Sequence, residues 1–184
     1  GDRVALLQVN CNQCVETYFA TAKLGAIYVP LSFRAKEDEL TYMINNSEAG
    51  IIFVGERYID LVNSLRPGLT SARHFISMES KHNEMLCYED MLSSSPVEEA
   101  VTEIEEDDAT ILMYTAGTTS FPKGVVLSHK SFTIYVLENV PPADPELEEK
   151  NILTVPLYHV AGIQAMMAAI YGGRTMIVER QFEA

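Results

Sequence analysis

Positive charge is scarce in this sequence. Its 184 residues carry 13 Lys and Arg against 26 Asp and Glu, a formal net charge of −13 at pH 7. That field repels nucleic acid and anionic membrane, so neither is expected as a partner, and any phosphate ligand needs a local site to hold it. Cysteine is sparse as well. Three residues do not make a disulfide scaffold and fit a reducing, cytoplasmic compartment. The opening GDRVALLQV has no initiator Met, no basic segment and no cleavage pattern, so it does not read as a secretory signal. No internal repeat is evident. A long uncharged stretch, 151–173, has the ~20 residues a membrane span needs. Pro156, His159 and Gln164 divide it into strand, turn and helix, so no integral span is expected. What is present is an ordinary globular composition, 47% hydrophobic and 21% charged. The length is about one domain's worth and suffices to bury roughly 70% of the unfolded surface.

Short apolar runs alternate with helical patterns. Residues 4–9 read as a buried strand, after which Cys14, Val15, Tyr18, Phe19 and Ala22 recur at helical spacing and Gly25 offers a C-terminal cap. A second apolar run, 26–31, precedes Leu40, Met43 and Ile44 on one helical face. Ile51–Val54, Ile59–Leu65 and 74–78 continue the strand–helix–strand rhythm. That order predicts right-handed crossovers and an α/β fold with a mostly parallel sheet flanked by helices. The organisation reads as an α/β subdomain over 1–96, an acidic connector over 97–109 with seven carboxylates between Glu98 and Asp108, and a further α/β segment over 110–184. In that last segment 110–114 is a strand, 131–138 a helix, 141–149 a turn-rich connector and 152–155 a strand. Ile163, Met166, Met167 and Ile170 form a helical stripe read as core packing, before a last strand at Thr175–Val178. The end at ERQFEA, with no closing element, reads as a piece of something larger.

Chemistry concentrates in YTAGTTSFPKGVVLSHKSF, residues 114–132. A strand ends in a loop with hydroxyls at Thr115, Thr118, Thr119 and Ser120. Gly117 lets the backbone approach a ligand, Pro122 stiffens the exit and Lys123 supplies a compact cation. Amides, hydroxyls and one ammonium are the parts that cradle a polyphosphate. A Walker loop counted from Gly117 would need Gly at Pro122 and Ser or Thr at Gly124, so a P-loop kinase or GTPase is disfavoured.

YTAGTTSFPKGV resembles the phosphate-binding signature of adenylate-forming enzymes, which include acyl-CoA synthetases, luciferases and peptide-synthetase adenylation domains. GDRVALLQVN and AKLGAIYVPLSFRAKEDELTYMINNSEA resemble that family's amino-terminal stretch, and PLYHVAGI at 156–163 resembles its aromatic-His motif. The resemblance covers nearly the whole chain, as part of the family's N-terminal domain. It implies a two-step reaction in which a carboxylate attacks the α-phosphorus of ATP to give an acyl-adenylate, and a thiol, usually coenzyme A, then displaces AMP. It further implies that Thr115, Ala116, Gly117, Thr118, Thr119 and Lys123 bind ATP, that Thr118 meets magnesium through the nucleotide, and that His159 is a catalytic gate residue. Two positions depart from the usual pattern. Ala116 stands for Ser or Gly, and Ser120 stands for Gly, at a cost of ~1–2 kcal/mol if the backbone there is left-handed. The family's later glycine-tyrosine-glycine segment ending in Thr-Glu, its ribose-binding Asp and its small C-terminal domain with a catalytic Lys are not found in these residues. The resemblance therefore implies a truncated acid–thiol ligase that is inactive alone and self-associates, its acid unread. The alternative is a standalone, non-catalytic nucleotide-binding or interaction module.

Cys11 and Cys14, in CNQC at a strand-to-helix junction, sit where a thioredoxin-like pair would. Helix-start packing is the expected role, with redox or metal function the alternative, and the lone Cys87 supplies no second pair to complete a zinc site. His129 and Lys130 follow the phosphate loop, where added positive potential is one reading and a solvated helix start the expected one for Lys130; His74 and His82 read as structural, and Arg34 and Lys36 receive no role.

Overall fold

Strand β1 (Arg3–Leu7) is apolar on both faces, as a strand must be when helices cover its sheet on either side. It pairs in parallel with β2 (Ile27–Pro30) and with β3 (Ile51–Val54). The computed structural model describes residues 1–115 and 121–180. Among them, β4 (His74–Ser77), β5 (Leu86–Cys87), β6 (Ala109–Thr115) and β7 (Lys123–Ser128) complete a seven-stranded sheet in the order β5-β4-β3-β1-β2-β6-β7. Every pairing is parallel except β6 with β7. The acidic connector joins two segments that share this sheet, because β6 pairs with β2 across Tyr28 and Ile111. A second, two-stranded parallel sheet holds β8 (Lys150–Leu153) and β9 (Thr175–Val178).

Alternation along the strands divides the apolar residues between two cores. Ala5 and Leu7 of β1 face α2 (Glu37–Ser47) and α3 (Ile59–Leu65) through Leu40, Met43, Ile44, Ile59 and Val62. Leu6 faces the other way, into a core built by α1 (Asn12–Lys23), α5 (His129–Asn139) and α6 (Val160–Tyr171). Cys14, Tyr18, Phe132, Ile163 and Met166 belong to that second core. Burying one such Leu or Ile side chain contributes roughly 1.5–3 kcal/mol. Gly25 ends α1 at φ +64°, the left-handed turn that favours glycine there.

The mostly parallel α/β architecture agrees with the sequence pattern, and differences are local. The loop after β6 does not run straight into a helix: six residues after Pro122 form β7 and pair antiparallel with β6. The pattern KGVVLS is short and mixed, and its long-range pairing supplies what local propensity does not. The two-residue β5 and the helix α4 (Tyr88–Ser94) are further elements not anticipated. Strand β8 begins two residues before the expected 152 and stops before Val155. In α6, Ile163 and Met166 are buried as expected, while Ile170 is exposed.

Candidate functional site

Thr115 closes β6 and Lys123 opens β7, and the two stand directly opposite in the antiparallel register. The Thr115 hydroxyl donates to the Lys123 carbonyl at 3.4 Å. Both ends of the hydroxyl- and glycine-rich loop are thus fixed on one hairpin. Phe121 stacks on Tyr42 of α2, with ring centroids 4.6 Å apart, and ties the loop's exit to the helix. The Tyr114 hydroxyl donates to Asn46 Oδ1 at 2.8 Å. Burial pushes that phenol up to about 12, so it stays protonated and holds the bond. Ala116, Gly117, Thr118 and Thr119, four of the expected phosphate contacts, lie outside the described residues.

A cavity of about 570 Å³ opens beside Thr115 at the carboxyl ends of β2 and β6, the usual side for ligands in parallel α/β sheets. Its wall includes Arg34 after β2, Met43 of α2, Thr115, Pro122, Tyr158 and His159. Thr115 and His159, far apart in sequence, line the same space. Phe33 and Tyr158 meet edge to face at 5.0 Å, coupling the turn after β2 to the His159 turn.

His159 is the N-cap of α6. Its Nδ1 accepts from the Ala161 N–H at 3.2 Å, which leaves the neutral ring's proton on Nε2. Its own N–H donates to the Pro156 carbonyl at 3.0 Å, closing a tight turn. Gly162 makes the turn possible, because a Cβ there would fall inside the contact shell of the Pro156 carbonyl and 3.2 Å from Leu157 Cα. Both obstacles are backbone, which cannot swing aside.

Asn10 holds this turn from below. It is 3% exposed, beyond the end of β1, and its Nδ2 donates to the Val155 carbonyl at 3.0 Å. Its Oδ1 accepts from the Leu157 N–H at 2.8 Å. One buried amide therefore fastens the His159 turn to the large sheet. Sequence reasoning missed both Asn10 and Arg34. The signal for Asn10 was a polar residue at the end of a buried apolar run. Arg34, in SFRAKEDE, had only a position after a predicted strand.

His129 begins α5 rather than joining the cavity. Its Nε2 is buried without a partner among the described residues, and burial pulls its pKa down against the opposing pull of Asp108. Lys130 pairs with Asp107 at 3.8 Å, on the surface. Among the described residues no group of three or more His, Cys, Asp and Glu converges on a metal position. Nor is any described helix long and apolar enough to cross a membrane.

The AMP-binding enzyme family matches residues 1–184. A long-chain-fatty-acid–CoA ligase of Mycobacterium tuberculosis is 29% identical over 189 residues, covering 100% of this chain and 36% of its own length. The chain thus spans about a third of that curated relative. An inhibitor-bound structure of the N-terminal domain of FACL13, also from Mycobacterium tuberculosis, superposes with a TM-score of 0.86 at 28% identity, over 100% of this chain and 45% of that one. The anthranilate CoA ligase AuaEII, in complex with anthranoyl-AMP, gives a TM-score of 0.89 at 25% identity, over 100% of this chain and 36% of its own.

Proposed function

The chain belongs to the AMP-binding enzyme family, as part of an N-terminal domain, and from that premise we propose that it carries the phosphate-binding and gate region of an AMP-forming acid–thiol ligase. The observation that carries this reading is the shared cavity. Thr115 and Pro122, which flank the loop, and the turn bearing His159 line one space at the strands' carboxyl ends.

In this reading Lys123 and the hydroxyls of Thr115, Thr118 and Thr119 hold the β- and γ-phosphates of ATP, with the amides at Ala116 and Gly117 completing the cradle. Thr118 would hold a magnesium ion bound with the phosphates, which would supply charge neutralisation, and the chain's part is to fix the phosphates in place. A carboxylic acid, aliphatic or aromatic, binds beside His159, whose Nε2–H is the donor left for its carboxylate or the α-phosphate. Arg34 places a cation in the cavity wall, beside Glu39, whereas Lys123 is not among the described lining residues. The acid's oxygen attacks the α-phosphorus, pyrophosphate leaves, and a thiol, coenzyme A, later takes the acyl group. Positioning and fixed charge do most of this work, since the carboxylate needs only a better leaving group to become an acyl donor.

The 184 residues on their own are proposed to be inactive, because adenine, ribose and thiol contacts fall to parts of the protein beyond them. The cytoplasm is the proposed compartment. The test is ATP–pyrophosphate exchange by the intact protein across a panel of aliphatic and aromatic acids. Exchange should require both an acid and Lys123. Lys123→Ala removes a charge-assisted phosphate contact worth ~1.5–3 kcal/mol, so exchange should fall roughly 10- to 100-fold. ATP binding without exchange for any acid would instead favour a non-catalytic nucleotide-binding module.

A further inference from the structure

The structure supplies for CNQC what its spacing lacks, a sulfur contact. Cys11 is the N-cap of α1, extended at φ −158°, and half-buried. Cys14 lies in the helix's first turn and is 2% exposed. Their sulfurs are 3.3 Å apart. The Cys14 N–H donates to the Cys11 carbonyl at 3.2 Å. A bond of that kind closes a turn with Cα atoms under ~7 Å apart, inside the range a disulfide spans. Cys87, also half-buried, has no such neighbour in the sequence and serves as an internal comparison.

We propose that Cys11 and Cys14 are a redox-active dithiol that exchanges with low-molecular-weight disulfides such as glutathione disulfide, Cys11 attacking and Cys14 resolving. The proposal stands apart from the ligase reading and uses no residue of the nucleotide cavity.

The two sulfurs differ in the way exchange requires. The sulfur contact with Cys14, whose thiol also reaches the Val9 carbonyl at 3.4 Å, holds Cys11 below the usual thiol range, helped by the backbone N–H groups of Cys14 and Gln13 and opposed by burial and by Glu79. The same contact, with burial, pushes Cys14 up. Glu79 is itself held by Arg180 at 2.7 Å, which blunts its effect on the pair. The start of a 12-residue helix adds its partial positive charge beside Cys11. Of the two, Cys11, the sulfur nearer solvent, gives up its proton more readily, while Cys14 beneath it keeps its own.

The chemistry balances as two exchanges. The Cys11 thiolate attacks one sulfur of the small disulfide, expels one thiolate and leaves a mixed disulfide on Cys11. Cys14 then loses its proton to solvent and attacks Cys11 Sγ, expelling the second thiolate. Two protein thiols are oxidised by two electrons, the small disulfide is reduced to two thiols, and the protons end on those thiols.

The experiment equilibrates the intact protein with graded mixtures of reduced and oxidised glutathione, quenches with acid, alkylates with a maleimide and maps tryptic peptides. Both cysteines fall in one peptide, 4–23, cut after Arg3 and Lys23. The expected result is loss of two hydrogens from that peptide, reversible with reduced glutathione, while Cys87 stays alkylated. In the unmixed reduced protein Cys11 should alkylate several-fold faster than Cys87. Cys14→Ser should accumulate the glutathione mixed disulfide on Cys11, and Cys11→Ser should abolish exchange in the peptide. The proposal is overturned if wild type remains alkylated throughout the series, if a mixed disulfide on Cys11 accumulates without closing, or if Cys87 reacts as fast as Cys11.

Discussion

Asn10 and His129 show what one side chain does when its surroundings leave it no choice. Asn10 satisfies two backbone groups of the His159 turn, and both lose their partner in Asn10→Ala. A buried group left unsatisfied costs ~1–3 kcal/mol, so this variant should lose about 2–4 kcal/mol in urea denaturation. Its ATP–pyrophosphate exchange should fall in the intact protein too, because the turn that carries His159 loses its anchor. An unchanged urea midpoint would contradict the anchoring role. His129 sets a pH dependence whose sign follows from the direction of its shift. Burial lowers its folded pKa below the unfolded value of about 6.5, so the unfolded chain takes up the proton first as pH falls. Stability from the neutral ring is present above the unfolded pKa and drains away as pH drops through it toward the folded pKa. Unfolding followed from about pH 7 to about pH 5 should therefore show a steeper loss in wild type than in His129→Gln.

Elements set the geometry that those side chains use. The N-terminus of α6 reaches the Pro156 turn only because position 162 carries no Cβ. Gly162→Ala must push the helix away from the turn, which moves His159 relative to Thr115. We expect a core-packing loss of several kcal/mol, of the size of other overpacked sites, and a chemical-shift change for the His159 ring by NMR larger than that of His74. If the His159 signals stay put, the turn tolerates displacement and the contact does not position the ring. Strands and helices with strong apolar periodicity were legible in the sequence: β1 to β4, α1 to α3, and α6. The run of hydroxyls and glycine after the strand was legible as a loop motif, and its phosphate role is a proposal that rests on the family resemblance. The hairpin itself was not, because β7 is stabilised by pairing with β6 rather than by its own pattern. Arg34 and Asn10 escaped for a related reason. Their roles depend on partners more than a hundred residues away, Tyr158 and His159 for one and Val155 and Leu157 for the other, and no local signal carries that information.

At the scale of the whole molecule, apolar surface remains on three outer strands. Val126 on the edge strand β7 is 63% exposed, and Ile152 and Ile177 face each other in the β8–β9 register at 63% and 47%. An exposed strand edge with apolar side chains favours pairing between chains. Light scattering should give a mass above the 20.5 kDa of one chain, and Val126→Lys should shift it down toward that value. A wild type that scatters as a monomer would remove the edge-pairing argument. The alternation within β1 has a consequence for how such a chain tolerates changes in length. Ala5 and Leu7 feed one core and Leu6 the other, so one inserted residue would send each side chain to the opposite core. Residues 95–103 and 141–150, by contrast, are exposed throughout. Doubling a flexible loop adds only ~0.6 kcal/mol of closure entropy. Insertions can collect in those two connectors, while the five residues of the central strand have to be counted out one by one.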